Sequence, residues 1–246
     1  MAAKYDTIGK GYSTHRQTDP AIYKAIRRQL GECKTVLNVG AGTGSYEPED
    51  CNVVAIEPSM EMISQRSQGA APAIKGVAED IPFADKQFDA AMAILTIHHW
   101  PDVMKGLTEV LRVTKHRIVL LTFDPEFSGF WLEDYFPELF KIDGDCFPSM
   151  DGLRGLAKDV KVQSLPIPHD CVDGFLCAYW RRPEAYLDPQ VRDGISTFSL
   201  INQVELKTER LARDLESGKW AQDNKDLLGQ TEMDLGYRLV AVTLNE

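Results

Sequence analysis

The chain has 246 residues and a formal net charge of −10 at pH 7, with 37 acidic side chains against 27 lysines and arginines. This length can bury a complete α/β core, and it favours one domain with an insertion over two equal domains. The acidic balance argues against unassisted binding to nucleic acid or to an anionic membrane, because phosphate recognition requires a basic face. We therefore expect a small-molecule partner, with no nucleic-acid or membrane partner.

The five cysteines are odd in number and widely scattered, without a Cys-x-x-Cys pair. This pattern argues against a zinc site and against a disulfide framework, and no metal is predicted. Cys146, Cys171 and Cys177 are expected to be small buried hydrophobic residues. The first residues contain no apolar signal core, and no apolar run is long enough to span a bilayer. We expect a cytoplasmic protein that is a monomer or a homodimer.

A helix is predicted from Pro20 to about Leu30. Asp19 suits the N-cap, Pro20 suits the first helical turn and Gly31 suits the end of the helix. The preceding residues, 4–19, are polar and contain glycine, which predicts an irregular leader. Residues 1–30 therefore form the first unit of the predicted organisation.

The next stretch is a short apolar run that stops at three alternating glycines. Residues 36–39 suit a buried strand, and the glycines allow a sharp turn and close approach of the backbone to a ligand. The dinucleotide fingerprint needs its third glycine one position later, where Ser45 stands, and this weakens an NAD or FAD interpretation. The residues of this stretch predicted to contact a ligand are Asn38, Gly40, Ala41, Gly42 and Gly44.

An acidic residue, Glu57, ends the second predicted strand, residues 52–56. A carboxylate there is placed to accept hydrogen bonds from both hydroxyls of a ribose lying across the strand ends. The alternative is an ordinary strand-to-helix turn with Glu57 as a solvated loop acid. Residues 46–50 are too few for a full crossover helix, whereas Ser59 suits the cap of the helix that follows Pro58.

Three more strands are predicted, over residues 73–77, 90–95 and 117–123, with a helix over residues 102–112. The second of these strands is almost continuously apolar, as burial on both faces of a parallel sheet requires. It ends at His98 and His99, where sheet enzymes of this architecture bind their ligands. Asp124, which follows the last of these strands, either touches substrate or caps a turn.

Taken together, these motifs resemble the class I S-adenosylmethionine-dependent methyltransferases, in the branch of the ubiquinone and menaquinone C-methyltransferases. The resemblance covers residues 5–125. It implies a Rossmann-like, doubly wound α/β fold with a seven-stranded mixed sheet, and S-adenosyl-L-methionine as cofactor. The chain departs from it at Asn38, where relatives usually carry an acid, and at Val77, where they carry Asp or Asn. The motifs are Gly40-x-Gly42-x-Gly44, Glu57, Ala78-Glu79-x-Ile81-Pro82-Phe83, Phe88-Asp89, His98-His99-Trp100 and Glu109-x-x-Arg112.

The resemblance also implies which further residues meet the cofactor. Leaders of this branch fold over it, and Tyr12 or Arg16 would meet the methionyl carboxylate, since a guanidinium matches a carboxylate. The alternative is that the leader tyrosines only pack the leader down. The segment after the third strand would read the adenine through backbone and side chain. The implied contacts outside the glycine loop are Tyr5, Tyr12, Arg16, Glu57, Pro58, Ala78, Glu79 and Leu95.

The second half is expected to decide the acceptor. The aromatic residues of 126–150 line an apolar pocket or pack as core, and we favour a mixture. Residues 160–165 suit a sixth strand, residues 190–215 have mostly helical spacing, and residues 236–242 suit a last strand. In the resembling fold this last strand lies antiparallel between the fifth and sixth. The predicted units are a core over 31–165, a largely helical insertion over 166–233 and the final strand over 234–246.

The function predicted is methyl transfer to a small-molecule acceptor at O, N or C. His98, His99 and His169 are the candidate bases, because an imidazole titrates near neutrality, and a structural role is the alternative for each. Arg181 and Arg182 either bind an anionic acceptor or form a solvated surface. The other functions considered are a nucleoside-binding or regulatory protein without catalysis, and a nicotinamide oxidoreductase, which Ser45 disfavours.

Overall fold

A computed structural model describes residues 16–244 of the chain, and its centre is a seven-stranded mixed sheet in the order β3-β2-β1-β4-β5-β9-β6. Strands β1 to β5 are parallel, and β9 runs antiparallel between β5 and β6, as the resemblance implied. A separate two-stranded ribbon pairs β7 with β8. The strands are β1 Thr35–Val39, β2 Asn52–Glu57, β3 Ala73–Lys75, β4 Phe88–Ile94, β5 Thr114–Phe123, β6 Asp159–Ser164, β7 Ile167–Pro168, β8 Glu232–Met233 and β9 Tyr237–Thr243.

The first two helices begin where side chains satisfy their first amide groups. The Asp19 carboxylate accepts hydrogen bonds from the amides of Ala21 and Ile22, at 2.9 and 3.2 Å, and the Ser59 hydroxyl accepts one from Met62 at 3.2 Å. Both predicted caps are thus confirmed. The α-helices are Pro20–Leu30, Met60–Ser64, Val103–Val113, Pro137–Cys146, Met150–Arg154, Pro189–Asp193, Val204–Glu216, Lys219–Asp223 and Lys225–Leu228. The 3₁₀ helices are Ile97–His99, Trp131–Asp134, Pro183–Leu187 and Ser196–Leu200.

The core lies on both faces of the sheet. Side chains of β4 at Ala90 and Met92 pack into one cluster, and those at Ala91 and Ala93 pack into the other. All four residues are fully buried, which accounts for the continuous apolar run of this strand. Within residues 16–244, no helix has the length and apolar character that crossing a bilayer requires.

The chain between β1 and β2 crosses without a helix, as its short length predicted. The third strand ends at Lys75, two residues earlier than expected, and Val77 instead forms an isolated bridge with Asp80. The carboxyl ends of β1 and β2 are therefore left open on the side of the glycine loop.

The structure divides the mostly helical stretch predicted over residues 190–215 among three helices, Pro189–Asp193, Ser196–Leu200 and Val204–Glu216. The first ends at Gly194, and the last is preceded by Gln203 in the left-handed conformation, with φ of 57°. Helical periodicity in the sequence survives such breaks, since each piece still buries one face. The insertion is thus built from several short helices.

The aromatic segment before the insertion serves mainly as core. Trp131 packs edge-to-face against Tyr186 and Trp220 of the insertion, and Phe136 packs in the same way against Phe198. The indole N–H of Trp131 donates to the carbonyl of Trp180 at 2.9 Å. This segment therefore attaches the insertion to the sheet.

The cysteine expectation holds for two of three positions. Cys171 and Cys177 are buried, and burial raises the pKa of the Cys171 thiol. Cys146 is exposed at the end of its helix, so the expectation is wrong there. An amphipathic helix end can place a small apolar residue in solvent without cost to the core.

Candidate functional site

A cavity of about 610 Å³ opens beyond the carboxyl ends of β1, β2 and β4, and we call it the large cavity. Ligands of open α/β sheets bind at this edge, where neighbouring crossovers diverge. The lining residues are Arg16, Asn38, Gly40, Ala41, Gly42, Thr43, Ser45, Tyr46, Glu57, Pro58, Met62, Lys75, Gly76, Val77, Ala78, Glu79, Ile94, Leu95, Thr96, His99, Trp100 and Pro101.

Gly40 makes the turn at the end of β1, and no larger residue fits there. Its φ is 68°, and a Cβ built on it would collide with the hydroxyl oxygen of Thr96. The amides of Gly40 and Ala41 both donate to the carbonyl of Ile56, at 2.9 and 3.0 Å. The loop is therefore fixed to β2 while its backbone faces the cavity.

Glu57 holds the loop from the neighbouring strand end. One carboxylate oxygen accepts the Gly42 amide at 2.8 Å and the other accepts the Ser59 amide at 2.9 Å. The residue is 5% exposed and lines the cavity. The alternative of a solvated loop acid is therefore wrong.

A buried ion pair supports the loop from behind, and we call Arg66–Glu47 the rear pair. The guanidinium donates to Glu47 at 2.6 Å and to the carbonyl of Gly42 at 3.1 Å. The Asn38 side chain also donates to Glu47, at 3.0 Å. Asn38 therefore does not organise the loop amides, as an acid there would. Glu57 accepts the Gly42 amide, and Glu47, in the shortened crossover, supports the loop through Arg66.

Gly44 was expected to touch a ligand, but it does not line the large cavity. A Cβ there would meet Glu47, Ala70 and Arg66 at 3.2 to 3.3 Å, and its φ is 97°. The third glycine therefore lets the loop pack onto the rear pair rather than onto a ligand.

A second ion pair, Arg16–Asp173, lies in front of the loop, and we call it the front pair. The Arg16 guanidinium donates to Asp173 at 2.6 and 3.3 Å, and the Tyr46 hydroxyl donates to the same carboxylate at 2.8 Å. Asp173 is fully buried. Burial raises the pKa of Tyr46, and the Asp173 carboxylate raises it further. The front pair thus joins the leader, the glycine loop and the insertion.

The structure places Arg16 in the wall of the large cavity, as expected of a residue that meets a ligand. The predicted contacts Tyr5 and Tyr12 lie outside the described residues. Sequence analysis missed Tyr46 and Asp173, because nothing local marks a pair separated by 127 residues.

At the opposite end of the cavity, Pro58, Ala78 and Glu79 all line the wall, as predicted. The Glu79 carboxylate accepts the Asp102 amide at 3.1 Å. This contact orients the segment after β3 against the start of the helix Val103–Val113. Leu95, also in the wall, has φ of 52°, so the chain turns sharply as it leaves β4.

The family model for a methyltransferase domain matches residues 37–121. A ubiquinone/menaquinone biosynthesis C-methyltransferase of Geobacter sp. (strain M21) is 31% identical over 196 residues, covering 65% of this chain and 83% of that protein. A solved structure described as a methyltransferase from an antibiotic biosynthesis pathway of Anabaena variabilis is 36% identical, with a TM-score of 0.88. The match covers 94% of this chain and 99% of the Anabaena chain. This chain belongs to the class I S-adenosylmethionine-dependent methyltransferases.

The similarity to other relatives is confined to part of their length. The first rice 2-methyl-6-phytyl-1,4-hydroquinone methyltransferase is 29% identical over 153 residues, which are 58% of this chain and 46% of that protein. The chain therefore spans about half the length of the first curated relatives that it matches.

The three candidate bases, His98, His99 and His169, occupy different settings. His99 lines the large cavity, whereas His98 does not. The His98 ring stacks on Phe147, with ring centroids 4.1 Å apart, and lies 3.7 Å from the ring centroid of His99. His169 lines neither this cavity nor the pocket beside it.

The expectation that His169 reaches into the site is therefore wrong. Its Nδ1 lies 2.9 Å from an Arg181 nitrogen, and its amide donates to Thr231 beside the β7–β8 ribbon. Because a guanidinium can only donate, Nδ1 is the acceptor and the proton is on Nε2. The histidine stabilises the base of the insertion.

The two arginines of the insertion have structural roles. Arg181 donates to the carbonyl of Gln230 at 2.6 Å, and Arg182 donates to that of Cys171 at 2.6 Å. Neither lines the large cavity, and both are partly exposed at the surface of the insertion. Asp124 accepts the Glu126 amide at 3.2 Å and pairs with Arg238, which confirms the turn-capping alternative.

A smaller pocket of about 50 Å³ adjoins the large cavity, with which it shares Arg16, Leu95 and His99. We call it the small pocket. Its other lining residues are His98, Phe147, Phe175, Leu176, Gly194, Ile195, Ser196, Thr197 and Tyr237.

Across residues 16–244, no group of three His, Cys, Asp or Glu side chains could hold a metal ion.

Proposed function

We propose that the chain transfers a methyl group from S-adenosyl-L-methionine to a small-molecule acceptor. The observation that carries this proposal is the large cavity itself. In it, a glycine loop whose first glycine admits no side chain faces the buried carboxylate of Glu57. A sheet edge with exposed loop backbone on one strand and an acid on the next suits a nucleoside with a polar tail.

The residues in the wall fit this cofactor from end to end. Glu57 is an acceptor-only group and would hold the ribose hydroxyls. The backbone from Gly40 to Gly42 would lie against the amino-acid portion, and Arg16 would meet its carboxylate. Ala78 and Glu79 would lie beside the adenine. Every residue in these assignments lines the large cavity.

When bound, the cofactor would supply the methyl carbon of its sulfonium to a nucleophile of the acceptor, with the carbon–sulfur bond breaking in line and S-adenosylhomocysteine as the leaving group. The chain's task is to hold the acceptor at reacting distance and to exclude water. His99 stands where the two cavities meet, so it is the group proposed to take a proton from a hydroxyl acceptor. The neighbouring His98 ring, stacked on Phe147, limits the orientations open to His99.

The relatives support a small-molecule acceptor. The Geobacter relative is named for ubiquinone and menaquinone biosynthesis, and the rice relative is named for a phytylated hydroquinone. The proposed setting is the cytoplasm, with the chain as a monomer or homodimer and without a nucleic-acid partner. Size-exclusion chromatography with light scattering would measure the oligomeric state.

Calorimetric titration tests the cofactor. S-adenosylmethionine and S-adenosylhomocysteine should bind, and NADH should not. Glu57→Gln should weaken S-adenosylhomocysteine about tenfold, or ~1.4 kcal/mol, because one acceptor becomes a donor. The exposed Glu49→Gln is the matched control and should bind normally.

Transfer of labelled methyl from S-adenosylmethionine to a metabolite extract tests catalysis. Label should appear in a small molecule and depend on the protein. Cofactor binding without any transfer would favour a nucleoside-binding protein without catalysis, and binding of NADH alone would overturn the proposal.

A further inference from the structure

The small pocket adjoins the large cavity, in which a cofactor would lie. Both cavities share Arg16, Leu95 and His99, so a molecule in the small pocket would lie beside that cofactor. Its far wall comes from the insertion, through Ser196 and Thr197 at the start of a 3₁₀ helix. The pocket is thus formed jointly by sheet and insertion.

The pocket is small. Its volume is about 50 Å³, whereas an engineered cavity known to bind benzene has a volume of about 150 Å³. One aromatic ring can therefore enter only by lying partly across the junction with the large cavity. A long hydrocarbon chain, which is several times larger than a ring, does not fit behind it.

The wall is aromatic on several sides. Phe147 stacks on His98, and Phe175 meets Tyr237 edge-to-face with ring centroids 4.6 Å apart. Such faces favour a flat ring, because aromatic side chains prefer stacked and edge-to-face partners.

The charge of the wall also restricts the ligand. None of the described residues that line the small pocket is Asp or Glu, so a cationic amine would find no counter-charge there. The wall instead contains the imidazoles of His98 and His99 and the hydroxyls of Ser196 and Thr197, together with Tyr237, whose hydroxyl donates to the carbonyl of Leu176 at 2.6 Å. These groups suit hydrogen bonding to neutral hydroxyls.

We infer that the small pocket is the acceptor subsite and that it takes a compact hydroxylated ring without a hydrocarbon tail. The inference rests on the proposed function, since it needs a cofactor in the large cavity. It separates this chain from the rice relative, whose name specifies a phytylated ring.

Three probes test the inference on protein saturated with S-adenosylhomocysteine. Methylhydroquinone is the compact ring, its decyl derivative adds a tail, and benzylamine replaces the hydroxyls by a cation. Calorimetry should show methylhydroquinone binding at least tenfold more tightly than either of the other two. Equal or tighter binding of the decyl compound or of benzylamine would overturn the inference, as would no binding of methylhydroquinone.

A matched pair of variants locates the binding. Ser196 lines the small pocket and is half-buried, whereas Ser199 of the same 3₁₀ helix is exposed. Ser196→Leu should fill the pocket and weaken methylhydroquinone at least tenfold, and Ser199→Leu should leave it unchanged. Both should bind S-adenosylhomocysteine normally. Unaltered methylhydroquinone affinity in Ser196→Leu would place the site elsewhere. Failure of the wild-type chain to bind S-adenosylhomocysteine would instead contradict the proposed function.

Discussion

The glycine loop is supported by two buried ion pairs that differ in what they connect. The rear pair joins residues only 19 positions apart, whereas the front pair joins residues 157 apart. Both are well shielded, with side chains 6% and 9% exposed in the rear pair and 12% and 0% in the front pair. The rear pair lies within the region that the methyltransferase family model matches, and the front pair reaches into the insertion.

This difference separates holding the loop from completing the site. The rear pair contacts loop backbone through Gly42 and does not itself line the large cavity. In the front pair, Arg16 is part of the cavity wall. Losing the rear pair should therefore act mainly on the stability of the core. Losing the front pair should act on ligand affinity as well, through the insertion.

The largest effect is expected from Arg66→Met. This change leaves Glu47 buried and uncompensated, which typically costs about 3 to 5 kcal/mol of unfolding free energy. Urea unfolding measures the loss. Arg154→Met is the matched control, because its partner Asp151 is 92% exposed, and it should cost under about 1 kcal/mol. Similar losses in the two variants would show that the rear pair is not a support.

A smaller loss of stability, about 2 to 4 kcal/mol, is expected from Asp173→Asn. Its distinguishing effect is on binding, since Arg16 loses the group that orients it. Affinity for S-adenosylhomocysteine should fall about tenfold, or ~1.4 kcal/mol. Calorimetry at a temperature where the variant is folded measures this fall.

Asp170→Asn is the control for that experiment, because Asp170 is exposed in the same segment. It should bind S-adenosylhomocysteine like the wild type. If Asp173→Asn also binds S-adenosylhomocysteine like the wild type, the front pair affects stability alone. The two pairs would then not differ in their effect on ligand affinity.

The sequence predicted what depends on local pattern. The strands of the sheet follow from apolar runs, and the caps at Asp19 and Ser59 follow from the residues beside their helices. The role of Gly40 was also predictable, because the turn that packs against β2 requires a residue in the left-handed conformation. These features involve neighbours in the chain, so short motifs encode them.

The missed residues depend on partners far apart in the chain. Nothing in the sequence marks Glu47 as a partner of Asn38, and only the folded loop shows that the two side chains meet. Asp173 lies in a segment without helical or strand periodicity and acts through Arg16. His169 was misassigned because its acidic neighbour in sequence suggested chemistry, whereas its contact in space is Arg181.

The smallest effect concerns Tyr46, which donates a hydrogen bond to Asp173 of the front pair. At neutral pH, Tyr46→Phe removes the hydrogen bond to Asp173 and should cost about 1.5 to 3 kcal/mol. Burial and the Asp173 carboxylate raise the pKa of Tyr46 in the folded chain. A raised pKa means that the stability from this group is complete below the unfolded-state value of about 10 and is lost above it. The wild type should therefore lose about 1.4 kcal/mol relative to the variant for each pH unit above that value. Urea unfolding of both proteins at pH values from about 8 to 11 measures the difference between their free energies of unfolding. This difference should narrow only at the alkaline end. A constant difference across this range would show that the phenol does not have the buried, anion-facing position that distinguishes the front pair from the rear.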